Sequence, residues 1–183
     1  MEYQRKLHEL SILRRCPLLE DLWCSSTQVG SEGGVALFEA LGGYENLKKL
    51  DLRDNMFGVE VGVKLSKALS KHEYLTEVYL SYLNMEDEGA IAIANALKDA
   101  APLLGILEIT GNDITAEAFP ALEAQDQVKD IDMSVNSLRG AGARSLAQAL
   151  VHNPEFKLLN VNGNFISNEG NDELKDIFKE SLE

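Results

Sequence analysis

The sequence predicts an α/β solenoid, a fold in which one strand and one helix alternate in stacked units. Three observations support this prediction: the chain repeats itself, each repeat contains a segment of alternating apolar residues, and a helical spacing of apolar residues then follows. The repeated segments begin at Leu19, Leu47, Leu75, Leu104, Val128 and Phe156. By subtraction, these starts are 28, 28, 29, 24 and 28 residues apart.

The first part of each unit is predicted to be a short strand with one buried face. Apolar and polar residues alternate there, which is the period of a half-buried strand. The pattern is clearest in the pairs Leu50 and Leu52, Val78 and Leu80, and Ile131 and Met133.

The bend after each strand carries a recurring amide, at Asn55, Asn112, Asn136 and Asn164. A side-chain amide has two donor hydrogens and an acceptor oxygen, so it can satisfy backbone groups that the bend leaves unpaired. We therefore predict an asparagine ladder along the solenoid. Thr27 can replace the amide in part, whereas Leu83 cannot.

The second part of each unit is predicted to be a helix. Apolar residues recur there at i, i+3 and i+4, as in Leu37, Ala40 and Leu41. A position early in the helix is glycine in four units, and we expect close contact with the neighbouring unit there. These residues are Gly33, Gly89, Gly142 and Gly170, while Val61 holds the position in the second unit.

The fourth unit departs from the pattern, because it is about four residues short and has Pro120 inside its helical segment. An interior proline removes a helical hydrogen bond and costs about 3 kcal/mol. We therefore expect a distorted or shortened helix in this unit, and a local deletion would account for its length.

Units of 28 or 29 residues that join a strand to a full helix are typical of the long class of leucine-rich repeat, with parallel strands on the concave face and helices on the convex face. We predict a single domain over residues 1–183. It comprises an N-terminal helical cap (1–18), about six repeats (19–170) and an acidic C-terminal helix and tail (171–183).

Composition excludes several classes of function. A formal net charge of -13 argues against nucleic acid as a partner. No apolar run is long enough to span a membrane, and two cysteines without a CxxC motif support neither a disulfide framework nor a zinc site. We expect a soluble, intracellular, monomeric protein without a cofactor or metal, with His72 and His152 at the surface and Cys24 as a small core residue.

Four stretches, at residues 24–37, 47–69, 78–93 and 156–167, extend beyond the leucine pattern, for example CSSTQVGSEGGVAL and LKKLDLRDNMFGVEVGVKLSKAL. They resemble the GTPase-activating proteins of the small GTPase Ran, in their plant form. The resemblance implies an activator of GTP-bound Ran that acts in nucleocytoplasmic transport, in the cytoplasm and at the nuclear envelope. The arginine and asparagine important for activation in that family lie upstream of the CSST segment, and nothing in this chain matches them, so no catalytic residue is assigned.

The candidate partner-binding residues lie on the predicted concave face. Trp23, Asp51 and Tyr79 share one repeat position and should form a row across neighbouring strands. The full candidate set is Trp23, Asp51, Arg53, Asp54, Tyr79 and Tyr82. Exposed Trp, Tyr and Arg are enriched in protein interfaces. A solvated strand face with cross-strand ion pairs remains the alternative, and Arg53 is better explained by such pairing or by partner contact than as an arginine finger.

Two functional hypotheses follow. The first is a Ran GTPase activator, or a truncated form of one, which regulates a GTPase and has no active site of its own. The second is a catalytically inert protein-binding module that lacks the activating repeats. An inhibitor of a basic ribonuclease-like protein is a weaker option, because the Cys-rich and Trp-rich repeats typical of such inhibitors are absent.

Overall fold

A computed structural model describes residues 16–180 of the chain. Its strands form one parallel sheet in which chain order and spatial order coincide, β1 to β6. The strands are β1 (Asp21–Trp23), β2 (Lys49–Asp51), β3 (Glu77–Tyr79), β4 (Ile106–Glu108), β5 (Asp130–Asp132) and β6 (Leu158–Asn160). The predicted α/β leucine-rich-repeat solenoid is therefore confirmed. The predicted N-terminal cap falls largely on residues 1–15, outside the described residues.

A helical segment follows every strand. The helices are α1 (Ser31–Leu41), α2 (Val59–Leu69), α3 (Glu86–Ala100), α4 (Phe119–Glu123), α5 (Gly140–Leu150) and α6 (Asn168–Glu180). None of the helices in the described part of the chain is long and apolar enough to cross a membrane.

The core runs the length of the solenoid between the sheet and the helices. The strand anchors Leu50, Val78 and Ile131 have no measurable exposure, because their side chains point away from the concave face. The helix residues Leu65 and Leu97 are equally buried and cover the strands from the other side. Each unit thus completes its core only against its neighbours, as expected of a solenoid.

The asparagine ladder is confirmed. Asn112 donates to the carbonyl oxygens of Leu80 (2.8 Å) and Ile109 (3.1 Å), and its own oxygen accepts the Leu83 N–H at 2.9 Å. Asn136 repeats the arrangement one unit further on and accepts the Asn112 N–H at 2.8 Å. Leu83 is fully buried at the ladder position of the third unit and contributes packing only.

The shortened helix of the fourth unit is also confirmed. A three-residue 3₁₀ turn, Ala116–Ala118, leads into the five-residue helix α4. Pro120 lies in the first turn of α4, where the missing N–H leaves no intrahelical hydrogen bond unmade. The chain therefore accommodates this proline by starting the helix late.

Glycine permits close packing between consecutive units, as predicted, at Gly142 and Gly170, whereas the tight contact of Gly89 is with Met85 of its own unit. A Cβ atom on Gly142 would lie 2.7 Å from Ala116 Cβ and 2.8 Å from the Phe119 ring. In the first unit the tight contact falls on Gly34, one residue after the predicted position Gly33, and a Cβ there would lie 2.9 Å from Val61.

A second polar ladder follows the loops that lead from each helix to the next strand. Gln125 donates to the Ala94 and Ala121 carbonyls, both at 2.9 Å, and Asn153 donates to the Asp126 carbonyl at 2.9 Å. His72 holds the equivalent position in the second unit and is 0% exposed. The predicted surface location of His72 was wrong. His72 lies three residues before Leu75, the first apolar residue of the next unit, and at this position the side chain points into the turn. His152, one residue earlier in its turn, is exposed as expected.

Candidate protein-binding face

The six strands align one repeat position into a continuous row on the concave face. The register pairs Trp23 with Asp51 and Asp51 with Tyr79, which confirms the predicted alignment of these three residues. The row continues through Glu108, Asp132 and Asn160. Because adjacent parallel strands lie about 4.8 Å apart, it offers a regular series of side chains to a partner.

Arg53 is held by carboxylates of two strands. Its Nη2 and Nε atoms bind the two oxygens of Asp51 at 2.6 and 3.0 Å, and Nη1 lies 3.4 Å from Glu108. The guanidinium also lies 5.0 Å from the centroid of the Tyr79 ring. The hydrogen bond with Asp51 raises the pKa of Arg53 further above its usual range. Arg53 is therefore a fixed part of this face and is engaged on three sides.

Asp51 is only 6% exposed, although it belongs to the exposed row in sequence register. Both of its oxygens face Arg53, and one also accepts the Arg53 backbone N–H at 3.1 Å. Within the candidate set, this places Asp51 as the residue that holds Arg53. A partner would meet the guanidinium rather than the carboxylate.

Tyr79 belongs to a second polar group on β2 and β3. Its hydroxyl donates to Glu77 at 2.9 Å, and Lys49 pairs with the same carboxylate at 2.8 Å. Burial, followed by the hydrogen bond with Glu77, raises the pKa of Tyr79 to about 12. The Lys49 hydrogen bond in turn lowers the pKa of Glu77. Tyr79 thus presents the ring to Arg53 and has its hydroxyl already bonded.

Asp54 and Tyr82 occupy equivalent positions three residues beyond the row, where the backbone is left-handed with φ of 55° and 57°. Asp54 accepts a hydrogen bond from the Ser26 hydroxyl at 2.9 Å. The Tyr82 ring lies against Gly111, where a Cβ atom would collide with it. Half of Tyr82 remains exposed, so its outer ring face is available for contact.

Trp23 is 73% exposed. It lies in β1, whose other concave-facing residue, Asp21, is also exposed. A large aromatic side chain without apolar cover is a typical binding anchor. Its structural placement agrees with the predicted partner-binding role, which stays a prediction.

The polar network of this face extends into the later units, whose residues are not in the predicted candidate set. Glu108 accepts hydrogen bonds from Arg53 and from the Ser81 hydroxyl, the latter at 2.6 Å. Asp132 accepts from Thr110 and Asn160, both at 2.9 Å. Burial alone would raise the pKa of Asp132, but these bonds and those from Ser134 hold it below its usual range. Hydroxyl residues lie two positions after four of the six row residues, at Ser25, Ser81, Thr110 and Ser134, and this recurrence was the signal that could have revealed the network.

The face is acidic overall. The outward strand positions of the six units hold six carboxylates and one lysine, Lys49. They are Asp21, Asp51, Glu77, Glu108, Asp130 and Asp132. Among the described residues, no group of three or more histidine, cysteine or acidic side chains is arranged to hold a metal ion. An extended acidic surface with aromatic anchors is suited to recognising a basic protein surface.

Comparison with known proteins supports both the fold and the resemblance. A sequence model of the family described as Leucine Rich repeat matches residues 71–94. The chain is 50% identical over 136 residues to RAN GTPase-activating protein 2 of Arabidopsis thaliana, a match covering 56% of this chain and 25% of that protein. RAN GTPase-activating protein 1 of the same plant matches equally well, at 50% identity over 57% of this chain and 25% of the relative.

More distant relatives extend over more of the chain. Protein NLRC5 of Mus musculus is 28% identical over 157 residues, covering 84% of this chain and 8% of that protein. Two solved structures, titled as leiomodin-1 actin-binding site 2 and the C-terminal domain of Caenorhabditis elegans tropomodulin, share the fold. The leiomodin structure has a TM-score of 0.57 and 14% identity, and the match covers 98% of this chain and 89% of that one. The tropomodulin structure has a TM-score of 0.54 and 13% identity, and the match covers 97% of this chain and 93% of that one.

The chain therefore has the leucine-rich-repeat fold and is similar to part of the plant RAN GTPase-activating proteins, as the sequence resemblance predicted. It spans about a quarter of the length of these curated relatives. The similarity to leiomodin and tropomodulin shows the fold alone.

Proposed function

We propose that this leucine-rich-repeat chain binds the GTP-bound form of the small GTPase Ran on its concave face and stimulates hydrolysis of the bound GTP. The observation that carries the proposal is the 50% identity to two plant proteins named RAN GTPase-activating proteins. Repeat anchors alone recur in unrelated leucine-rich-repeat proteins, and the more distant relative Protein NLRC5 is only 28% identical, so identity at half of the aligned positions is well above the level of that relative.

The geometry supports a scaffold role in this reaction. A GTPase carries its own magnesium and water-positioning residue, so an activator needs only to order these groups or to add charge in the transition state. A row of side chains fixed by the strand register suits the ordering role, since it can hold a partner in one orientation. Arg53 is bound to Asp51 and Glu108, and we assign it to partner contact rather than to the transition state.

A second candidate function is binding of Ran without activation. The length of the match favours this second candidate, because three quarters of the relative's sequence lie outside the aligned part. In this case the concave face would retain affinity and the rate of hydrolysis would not change.

The proposal includes a cellular setting. A Ran regulator of this kind would act in nucleocytoplasmic transport, in the cytoplasm and at the nuclear envelope, as a monomer. A fluorescent fusion in plant cells tests the location, and light scattering during gel filtration tests the oligomeric state. A nuclear interior signal or a dimer would overturn the respective part of the proposal.

The deciding experiment is single-turnover hydrolysis of GTP on Ran, with and without this chain at increasing concentration. Stimulation that saturates with concentration supports the activator proposal. Binding at an unchanged rate supports the second candidate, and no binding overturns both. Activation should also persist in the variant Arg53→Lys, which keeps the positive charge at this position, whereas an arginine finger would lose most of its effect on that change.

A further inference from the structure

A groove of about 460 Å³ lies on the convex side of the solenoid, between α1 and α2. Its apolar lining comes from Val35 and Phe38 of α1 and from Ala68 of α2. Three lysines of α2 and of the turn that follows it also line the groove, Lys64, Lys67 and Lys71. The groove therefore combines apolar surface with a one-sided row of positive charge.

Lys64 and Lys67 lie about one turn apart on α2, and Lys71 follows in the turn after the helix, so the three lysines extend along the same groove. Lys64 has a partner on its own helix, Glu60, at 2.9 Å. Lys71 reaches across the groove, and its Nζ atom lies 3.5 Å from the position that a Cβ atom on Gly42 would take. Lys67 is exposed and forms no ion pair with any described residue.

This positive row stands out against the charge of the rest of the molecule. The chain has a formal net charge of -13, and the outward strand positions of the concave face carry six carboxylates and one lysine. The lining of the groove contains a single acid, Glu39. The convex groove therefore attracts a ligand of opposite charge to the one that suits the concave face.

We infer that this groove is a docking site for an acidic, helical segment of a protein partner that carries an apolar side chain. An amphipathic helix fits a groove between two helices, and acidic residues spaced at i, i+3 or i+4, and i+7 would match the lysine spacing. An apolar side chain of the same segment would cover Val35, Phe38 and Ala68. The inference goes beyond the proposed function, because it concerns the opposite face of the solenoid.

Charge also argues against other occupants. Residues 1–15 contain four Lys or Arg and two Glu residues, so this segment of the chain itself would be repelled from the lysine row. A nucleic acid or an anionic membrane is large enough to be repelled by the negative charge of the whole chain, which is -13. A short acidic peptide contacts only the groove and is not subject to the same repulsion over a large area.

A labelled peptide of about 14 residues, built from alanine, leucine and glutamate with the glutamates at i, i+3 and i+7, provides the probe. Its control carries glutamine in place of glutamate. We expect the glutamate peptide to bind in a fluorescence anisotropy titration at low salt, and the double variant Lys67→Glu, Lys71→Glu to weaken binding by about tenfold or more. The single variant Lys67→Glu should give a smaller loss, and it leaves the Lys71 contact with the end of α1 intact.

The variant Lys98→Glu makes the same charge change on an exposed residue of α3 and should alter binding less than about twofold. A peptide with lysine in place of glutamate should prefer the double variant to the unaltered chain. Equal binding of the glutamate and glutamine peptides, or equal loss in Lys98→Glu, would overturn the inference. So would lysine-dependent binding to phosphatidylserine vesicles without binding to the peptide, since this result would assign the groove to lipid headgroups.

Discussion

Arg53 and Asp51 form a two-point ion pair on the concave face, with Nη2 and Nε of the arginine 2.6 and 3.0 Å from the two carboxylate oxygens. The two residues are two positions apart in one extended segment, so their side chains lie on the same face. The bidentate geometry fixes the guanidinium in one orientation. Asp51 is almost fully buried, whereas Arg53 is partly exposed. A partner at this position would therefore contact the guanidinium and not the carboxylate.

Replacement of Arg53 by alanine should destabilise the chain by about 1–2 kcal/mol. The substitution leaves the buried Asp51 carboxylate with fewer hydrogen bonds, and such a loss costs about 1–3 kcal/mol, reduced here because water can reach the site. Urea denaturation measures the change. Lys129→Ala, which removes an exposed pair with Glu155, serves as the control and should cost less than about 0.5 kcal/mol. Equal effects would argue against the fixed role of Arg53.

Replacement of Asn112 by alanine should cost about 2–4 kcal/mol. The amide satisfies the Leu80 carbonyl and the Leu83 N–H in the dry interior, and each group left without a partner costs about 1–3 kcal/mol. Asn164→Ala removes the same bonds in the last unit, where Asn164 is partly exposed and water can replace them. We expect the Asn164 change to cost about half as much, and a reversed order in denaturant titrations would contradict the ladder account.

Two glycines of α5 should respond in opposite directions to alanine. At Gly142 the new methyl group would lie 2.7 Å from Ala116 Cβ, so we expect a loss of about 1–3 kcal/mol. At Gly140 the nearest atom is 3.7 Å away, which is ordinary contact, and the higher helix propensity of alanine should leave stability unchanged or raise it by up to about 1 kcal/mol. Thermal unfolding of the two variants provides the test, and a larger loss at Gly140 would contradict it.

His72 should make the stability of the chain depend on pH. Burial lowers the pKa of His72 below its ordinary value of 6.5, the charge of Lys71 acts in the same direction, and an interaction with the backbone of Tyr44 offsets part of the effect. The unfolded chain therefore binds the proton more readily than the folded chain. Stability from the neutral ring is present in full above the ordinary pKa of 6.5 and declines as the pH falls below it.

The variant His72→Gln lacks this titration. The difference in unfolding free energy between the original chain and the variant should therefore become smaller between about pH 7 and pH 5. The same change at the exposed His152 provides a control for the loss of an imidazole. A constant difference for His72→Gln across this range would show that the ring does not titrate there.

Much of the fold follows from the sequence, because the repeat fixes it several times over. The spacing between Leu19, Leu47 and Leu75 sets the register that places Trp23 beside Asp51 and Asp51 beside Tyr79. The recurring asparagines identify the bend, and Pro120 identifies the short helix. Each of these features depends on local pattern, and local pattern is what a single sequence contains.

The parts that could not be predicted depend on contacts between units. Glu108 lies 55 residues from Arg53 in sequence, and only the stacking of the strands brings them together. The burial of His72 likewise depends on how its surroundings in the folded chain cover it. Gly34 rather than Gly33 meets Val61, because the rotation of α1 against α2 is set by packing and not by the repeat spacing.

Paired tyrosine variants test whether GTP-bound Ran binds on the concave face. Tyr82 on the concave face and Tyr74 in the loop between α2 and β3 are both 50% exposed, so their replacement by alanine removes similar free surface. In calorimetric titrations with Ran, Trp23→Ala, Tyr79→Ala and Tyr82→Ala should each weaken binding by more than about 1 kcal/mol, and Tyr74→Ala should have no measurable effect. Unchanged affinity in the three concave variants, or an equal loss in Tyr74→Ala, would contradict the account.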